Sequence, residues 1–435
     1  MKKEKSKNKE KKNKLLMIIL FIIAGFAIRL FGILGVTILI TVLYGYWHLW
    51  KKTKLSTSKK ILVSLLPIII ISVLYLPALF ASNLNNEGYF LLNSSRYEEA
   101  IEKFDKALFI KPSDTAIINN KGLALLNLGK YEESLIQSEK ALTIDPSFGP
   151  ALNGKCVALR NLERYDEAMS CYDEALLIEP NSPILLANKC SALNRLQKTN
   201  DAMIHCNKAL EIDPNQYLAL TEKGNILESE GQYEQALKYF NAAIENCLNN
   251  CNILAKAGIL DNKGRVLTYL GRSSEALIYI DESLKLRPNH SITLNNKGFA
   301  LLNLEKYEEA IQYFDMALKI NPNLIQPLNL KGISLIGLEN YSEAIVNFDK
   351  ALSIDPQYFD ALLYKGIALE NLERWEDAIK NYDTLIYYYQ NSDTAYTRRA
   401  ISRYYFGDSN NAIKDAERAL EINPDNEDAH KMLYG

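Results

Sequence analysis

Asparagine is the residue whose spacing stands out along this chain. It recurs two residues before a periodic small residue, at Asn86, Asn120, Asn188, Asn262 and Asn296. A second series lies one residue earlier, at Asn85, Asn119, Asn153, Asn295 and Asn329. A primary amide donates and accepts at once, so a row of amides can hydrogen-bond a polar chain without reading its side chains. The same amides could instead bond neighbouring helices or water. Glu222, Leu330, Tyr364 and Arg398 interrupt the first series, so any row is discontinuous. Cys247 and Cys251 are four apart and could share a helix face, but as metal ligands they need further partners. The nearest histidines by sequence are His205 and His290, and His48 and His430 are as scattered. No Gly-rich phosphate loop, nucleophile elbow or histidine–carboxylate cluster is present. These residues predict no catalytic set, no metal and no cofactor. The six cysteines, all between Cys156 and Cys251, are too few over this length to imply a disulfide framework and leave the redox compartment open.

The elements that carry these residues repeat. Prolines fall every 34 residues at Pro112, Pro146, Pro180 and Pro214, again at Pro288, Pro322 and Pro356, and at Pro424. A small residue stands 24 before each proline position: Gly88, Gly122, Cys156, Cys190, Gly224, Gly264, Gly298, Gly332, Gly366 and Ala400. Twelve residues after it comes Ala, or Ser134 in the second copy. Nine after it, in most copies, comes an aromatic such as Tyr131, Tyr233, Tyr307 or Trp375. Each copy reads as two amphipathic helices. In the second they are predicted over about Thr115–Leu128 and Tyr131–Thr143, with Gly129-Lys130 as the turn and Asp145-Pro146 as the stop. Glu pairs such as Glu132-Glu133 suit a first helical turn. The small residues at Gly122, Gly224, Gly264, Gly298, Gly332 and Gly366 let two helices approach, and the aromatic nine residues on is expected over that contact. One hairpin cannot bury its apolar face alone, so stacking is what stabilises it.

The pattern resembles the tetratricopeptide-repeat family. The segments NNKGLALLNLGKYEESLIQSEKALTIDP (from Asn119) and NNKGFALLNLEKYEEAIQYFDMALKINP (from Asn295) carry its small residues, hairpin aromatic and closing proline. The resemblance covers residues 82–426 as ten repeats. It implies an all-α, right-handed superhelical solenoid of antiparallel helix pairs, with a concave groove lined by the first helix of each pair. In some members an asparagine ladder in that groove holds the backbone of an extended peptide, which makes Asn86, Asn120, Asn188, Asn262 and Asn296 the candidate peptide-binding residues. Other members grip a terminal carboxylate with groove Lys and Arg; a lone Arg265 does not make that clamp. Six extra residues near 248–258 predict a lengthened helix or loop. Tyr387-Tyr388-Tyr389-Gln390 predicts a ninth repeat without a clean helix stop, and 427–435 a truncated cap. The aromatic-rich end (Tyr387 to Tyr389, Tyr404, Tyr405, Phe406) reads as core, with a docking patch as the alternative.

The first eighty residues differ in kind. Residues 1–60 hold 13 Lys and one Arg against two Glu, a net +12, which leaves −14 for the rest of a chain whose total is −2. An acidic body argues against nucleic acid as a partner. A basic tail (1–14), an apolar run from 15 to 50, a Lys-rich loop and a second apolar run from 61 to 81 predict transmembrane helices ahead of the array. The 36 residues of the first run would make roughly 54 Å of helix, long for one span and just enough for a hairpin turning near Arg29. Three spans would place the repeats outside the cytoplasm, and two would place them inside. The N-terminus is cytoplasmic on the positive-inside rule.

Together these readings predict a membrane-anchored scaffold, not an enzyme. Its groove would bind extended segments or helices of other proteins, in the assembly of a membrane or envelope complex. The alternative is a non-catalytic regulatory or targeting subunit of a separately encoded enzyme, such as a glycosyltransferase or protease. Neither reading calls for a small-molecule substrate, and the spans offer no evident transport path.

Overall fold

Every repeat turns on one left-handed residue, seven positions after its small residue. The structure, a computed structural model, describes residues 76–247 and 251–434. Within them the turn residue is Gly129, Gly231, Gly271 or Gly407 in four repeats, with φ between +73° and +95°. In the other six it is Ser95, Glu163, Gln197, Glu305, Glu339 or Glu373, with φ of +57° to +59°. The amide after it closes the first helix: Lys130 N–H donates to Leu125 O at 2.9 Å and Gly129 N–H to Leu126 O at 3.1 Å. This pairing satisfies carbonyls that the helix end would otherwise leave bare.

The first helices of the repeats are α1 (Leu76–Asn93), α3 (Thr115–Asn127), α5 (Gly149–Asn161), α7 (Pro183–Arg195), α9 (Tyr217–Ser229), α11 (Ile253–Tyr269), α13 (Ser291–Leu302), α15 (Ile325–Gly337), α17 (Phe359–Asn371) and α19 (Asp393–Phe406). The second helices are α2 (Tyr97–Ile110), α4 (Tyr131–Ile144), α6 (Tyr165–Ile178), α8 (Thr199–Ile212), α10 (Tyr233–Cys247), α12 (Ser273–Leu286), α14 (Tyr307–Ile320), α16 (Tyr341–Ile354), α18 (Trp375–Tyr388) and α20 (Ser409–Ile422). A last helix, α21 (Glu427–Tyr434), packs on α19 and α20. Its Ala429 is buried beside Ala400, Ala416 and Ala419, so the truncated end is a one-helix cap.

The described residues fall into two compact units, one of 76–90 and 98–121, the other of 91–97 and 122–434. In the second unit each helix packs on the next in sequence, and the first helices also touch one another from repeat to repeat: α7 with α9, α9 with α11, and on to α17 with α19. First helices that approach each other while second helices do not place the first set on the inner side of the stack.

The small residue is a socket for a ring, but not for the ring that spacing suggested. A Cβ on Gly298 would stand 2.5 Å from the Phe314 ring, and on Gly224 2.6 Å from Phe240. Gly332 faces Phe348, and Gly366 faces Tyr382, in the same way. The wedge is therefore the residue sixteen positions on, not the aromatic nine positions on. Phe240, Phe314, Phe348 and Tyr382 are fully buried in that role. The aromatic nine positions on reaches forward to the next repeat. Tyr233 stacks on Tyr269 at 5.0 Å, Trp375 on Tyr405 at 4.9 Å, and Tyr307 lies against Gly337. At +9 the side chain starts the second helix and faces along the stack; at +16 it is two turns further in and faces its own partner helix.

An ion-pair ladder also joins repeats. Lys189 meets Asp173, Lys297 meets Asp281 at 2.7 Å, Lys331 meets Asp315 at 2.7 Å, and Lys365 meets Asp349 at 2.6 Å. Each carboxylate is about half exposed, so each pair contributes at most about 1 kcal/mol and serves register more than stability.

The first helix that follows the six-residue insertion is long: α11 has 17 residues where most first helices have 13. The ninth repeat stops cleanly, against expectation. α18 ends at Tyr388 in the common register, Tyr389 N–H donates to Leu385 O, and the Tyr389 hydroxyl donates to Gln357 O at 2.7 Å. The tyrosine anchors its own side chain where the other repeats rely on proline. The aromatic-rich end is not core: Tyr387, Tyr404, Tyr405 and Phe406 are each more than half exposed. Among the described residues no helix is long and apolar enough to cross a membrane. The 15–50 run and residues 61–75 of the second run lie outside the described residues, and α1 begins at Leu76.

Candidate functional site: the face of the first helices

In two places the two asparagine series bond each other, and in two more the first series bonds another polar residue of the preceding repeat. Asn120 Nδ2 donates to Asn85 Oδ1 at 3.0 Å, and Asn188 Nδ2 to Asn153 Oδ1 at 2.8 Å. Asn262 donates to Asn225 at 2.9 Å, and Asn296 donates to Asp261 at 3.0 Å. Each bond runs from one first helix to the first helix before it. Four of the five candidate peptide-binding asparagines thus spend one N–H on the preceding repeat, which orients the amide and leaves its remaining valences to other partners. Asn86 is exposed.

The ladder breaks where the sequence lacks its donor. Asn295 and Asn329 stand at the acceptor position, but one repeat on the donor position holds Leu330 and Tyr364. Asn295 is 5% exposed and Asn329 2%, and the Oδ1 of each has no hydrogen-bond partner. A buried polar atom left unpaired costs on the order of 1–3 kcal/mol. Both amides line a hollow of about 480 Å³ over α9 to α17.

The rest of the hollow is aromatic and acidic. Tyr233 stacks on Tyr269, and Tyr269 meets Phe299 at 5.4 Å, a run of three rings from three repeats. Tyr358 and Asp360, at the start of α17, line it as well. Burial raises the Tyr358 phenol, with Asp360 and then Tyr269 adding to the effect, so these three groups share one electrostatic neighbourhood. Partial desolvation also raises the Asp360 carboxyl. The cation here is Arg265, and it is already held. Its Nε and Nη2 donate to Glu228 at 2.6 and 2.8 Å.

Two further polar sites lie on the same face. Arg398 donates to Glu370 at 3.3 Å and Ser402 Oγ to the same carboxylate at 3.0 Å; burial nevertheless raises the Glu370 carboxyl. Asp261, 5% exposed, is raised by burial against the opposing pull of Asn296 and Arg265. Among the described residues no group of three or more His, Cys, Asp and Glu could hold a metal ion.

The cysteines are all paired. Cys156–Cys171 joins α5 to α6, Cys190–Cys206 joins α7 to α8, and Cys247–Cys251 bridges the start of the insertion. No free cysteine remains. Cys190 and Cys206 occupy the socket and wedge positions of their repeat, so a covalent bond replaces the glycine–ring contact. Sequence reasoning explained Cys156 and Cys190 by packing alone and missed this pairing. Their spacings of 15 and 16 are the signal, once the socket-to-wedge distance is known to be 16.

Comparison with known proteins agrees with this architecture. Family models described as tetratricopeptide repeat match residues 205–238, 257–290, 291–324, 335–400 and 394–426. One described as the N-terminal TPR repeats region of Psidin matches 88–183. The repeats are tetratricopeptide repeats, and the described residues form an all-helical solenoid of them. No curated protein matches the chain. Among solved structures, MamA (41-end) from Desulfovibrio magneticus RS-1 is 22% identical, covering 39% of this chain and 97% of its own, with a TM-score of 0.37. YrrB, described as a TPR protein with an unusual peptide-binding site, is 24% identical over 44% of this chain and 95% of its own, with a TM-score of 0.34. A tetratricopeptide repeat protein from Parabacteroides merdae ATCC 43184 is 18% identical over 59% and 98%, with a TM-score of 0.41.

Proposed function

We propose that this chain is a membrane-tethered scaffold that holds segments of partner proteins along the face of its first helices. Tetratricopeptide repeats suggest protein–protein interaction in general. The observation that carries the finer reading is the break in the amide ladder. Where the ladder is whole, amides satisfy one another; at Asn295 and Asn329 they do not, and a hollow opens at that place. The spans at 15–50 and 61–81 would tether the array, raising the local concentration of a partner and favouring weak, multivalent contacts in assembly of a membrane or envelope complex. What supports an extracytoplasmic side for the array is the pairing of all six cysteines, since such bonds persist in oxidising compartments.

The test is site-specific photo-crosslinking in cells. A photoreactive residue at Ile292, 46% exposed in the hollow, is expected to trap a partner. One at Leu177, 83% exposed on α6 in the second-helix layer, is not. Equal products from both positions, or products from Leu177 alone, would overturn the proposal.

A further inference from the structure

We propose that the hollow over α9 to α17 recognises an extended partner segment through one basic side chain, Lys or Arg, received between Tyr269 and Tyr358 against Asp360. This rests on the groove reading above and adds the chemistry of the occupant.

Charge decides the sign. The residues lining the hollow include two carboxylates, Glu228 and Asp360, and one cation, Arg265. Arg265 is bound through two nitrogens to Glu228, so these two cancel. Asp360 is left, with no ion pair or hydrogen bond from any described residue, and its carboxyl is raised by desolvation alone. Buried Asp261 lies next to the same wall, where it accepts from Asn296. An acidic occupant would meet uncompensated negative charge, and a cationic one would relieve it.

The rings decide the shape. Tyr233, Tyr269 and Phe299 form one continuous aromatic wall, and Tyr358 lines the same hollow as Tyr269. Aromatic faces beside a carboxylate attract an ammonium or guanidinium through the ring quadrupole, and they cover the methylene stem as well. The amides decide the register. Asn295 and Asn329 sit at the same position of consecutive repeats, and each has hydrogen-bonding capacity that no residue of the chain takes up. A chain laid across α13 and α15 would meet both amides, whose covered Oδ1 atoms would have to turn outward to accept from it, and its basic side chain would enter the cage.

The full-length chain in detergent micelles would be applied to a positional-scanning array of immobilised nonamer peptides, each spot fixing one residue in a randomised background. Spots fixing Lys or Arg are expected to retain about tenfold more protein than spots fixing Asp or Glu, the reach of one cation–π contact joined to one ion pair. Asp360→Asn and Tyr358→Leu should each reduce that preference several-fold, and Asp360→Lys should reverse it, with total capture kept and helical circular dichroism unchanged. Capture without a charge preference, or a preference that survives Asp360→Lys in a folded protein, overturns the basic-side-chain inference and leaves the groove reading standing. Capture no greater than that of an Asn295→Ala/Asn329→Ala/Phe299→Ala variant overturns both.

Discussion

A single backbone angle sets the cost of each hairpin turn. A left-handed residue is easy for glycine and costs other residues on the order of 1 kcal/mol through the Cβ–carbonyl contact. Glu339, at φ +58°, pays that cost in the eighth repeat. Glu339→Gly should therefore raise the melting temperature, while Gly271→Ala, with φ +73° and open space around its Cβ, should lower it by a similar amount. Thermal melts followed by circular dichroism check both. His290 makes a second prediction at this scale. Burial, with Arg287 beside it, lowers its pKa from 6.5 to about 4, and its ring Nδ1 meets Thr293 Oγ1 at 2.8 Å. A folded-state value below the unfolded one means a contribution to stability that is complete above pH 6.5. That contribution is lost as pH falls toward 4, because the unfolded chain takes the proton first. It is on the order of 2 kcal/mol, at about 1.4 kcal/mol per unit and discounted for solvent. Glu370 and Asp261, whose carboxyls are raised, act in the opposite direction across the carboxylate range. Comparing melts of the parent and His290→Asn at pH 7 and pH 4 isolates the histidine. The parent should lose more, and equal losses would refute the assignment.

At the scale of the helix pair, one geometry is filled in two chemical ways. Five of the ten repeats seat a ring sixteen residues on in the space a glycine leaves, and the fourth repeat bridges the same two positions with Cys190–Cys206. Closing a loop of that length stabilises by about 3 kcal/mol relative to the reduced chain. Adding a strong reductant should lower the melting temperature of the parent. Cys190→Gly with Cys206→Phe rebuilds the contact seen at Gly224 and Phe240, and it should remove that repeat's share of the sensitivity while keeping the fold. Cys206→Phe alone should be worse than either, because the sulfur at Cys190 then occupies the socket that the ring needs. Scanning calorimetry with and without reductant distinguishes the three.

At the scale of the whole molecule, the proposed tether would place the array on one side of a membrane, and the cysteines report which. Cells are quenched with a permeant alkylating reagent, and the denatured chain is weighed before and after reduction. No added mass before reduction and six equivalents after it would place the array in an oxidising compartment and support three spans. Six equivalents before reduction would place it in the cytoplasm with two spans. The acidic array and basic head add a dependence on ionic strength: if the hollow takes a basic segment, capture should weaken as salt rises.

Periodicity alone specified a great deal here. The 34-residue repeat, the helix limits within a residue or two, the turn at Gly129 and the extra length near 248–258 all follow from local chemistry: helical apolar spacing, glycine's freedom at positive φ, and proline's refusal to continue a helix. What the three-dimensional packing decided were contacts between residues 16 and 35 apart. It assigned the buried wedge to the ring at +16 instead of +9, bonded Asn120 to Asn85 and Asn188 to Asn153 across repeats, and paired cysteines that spacing had explained as small packing residues. It also set Asn295 and Asn329 apart by burying each opposite a position, Leu330 or Tyr364, that offers no amide donor. A one-dimensional pattern names the positions that recur, but whether two of them meet depends on how one helix rotates against the next, and that rotation is set by close packing of the whole stack.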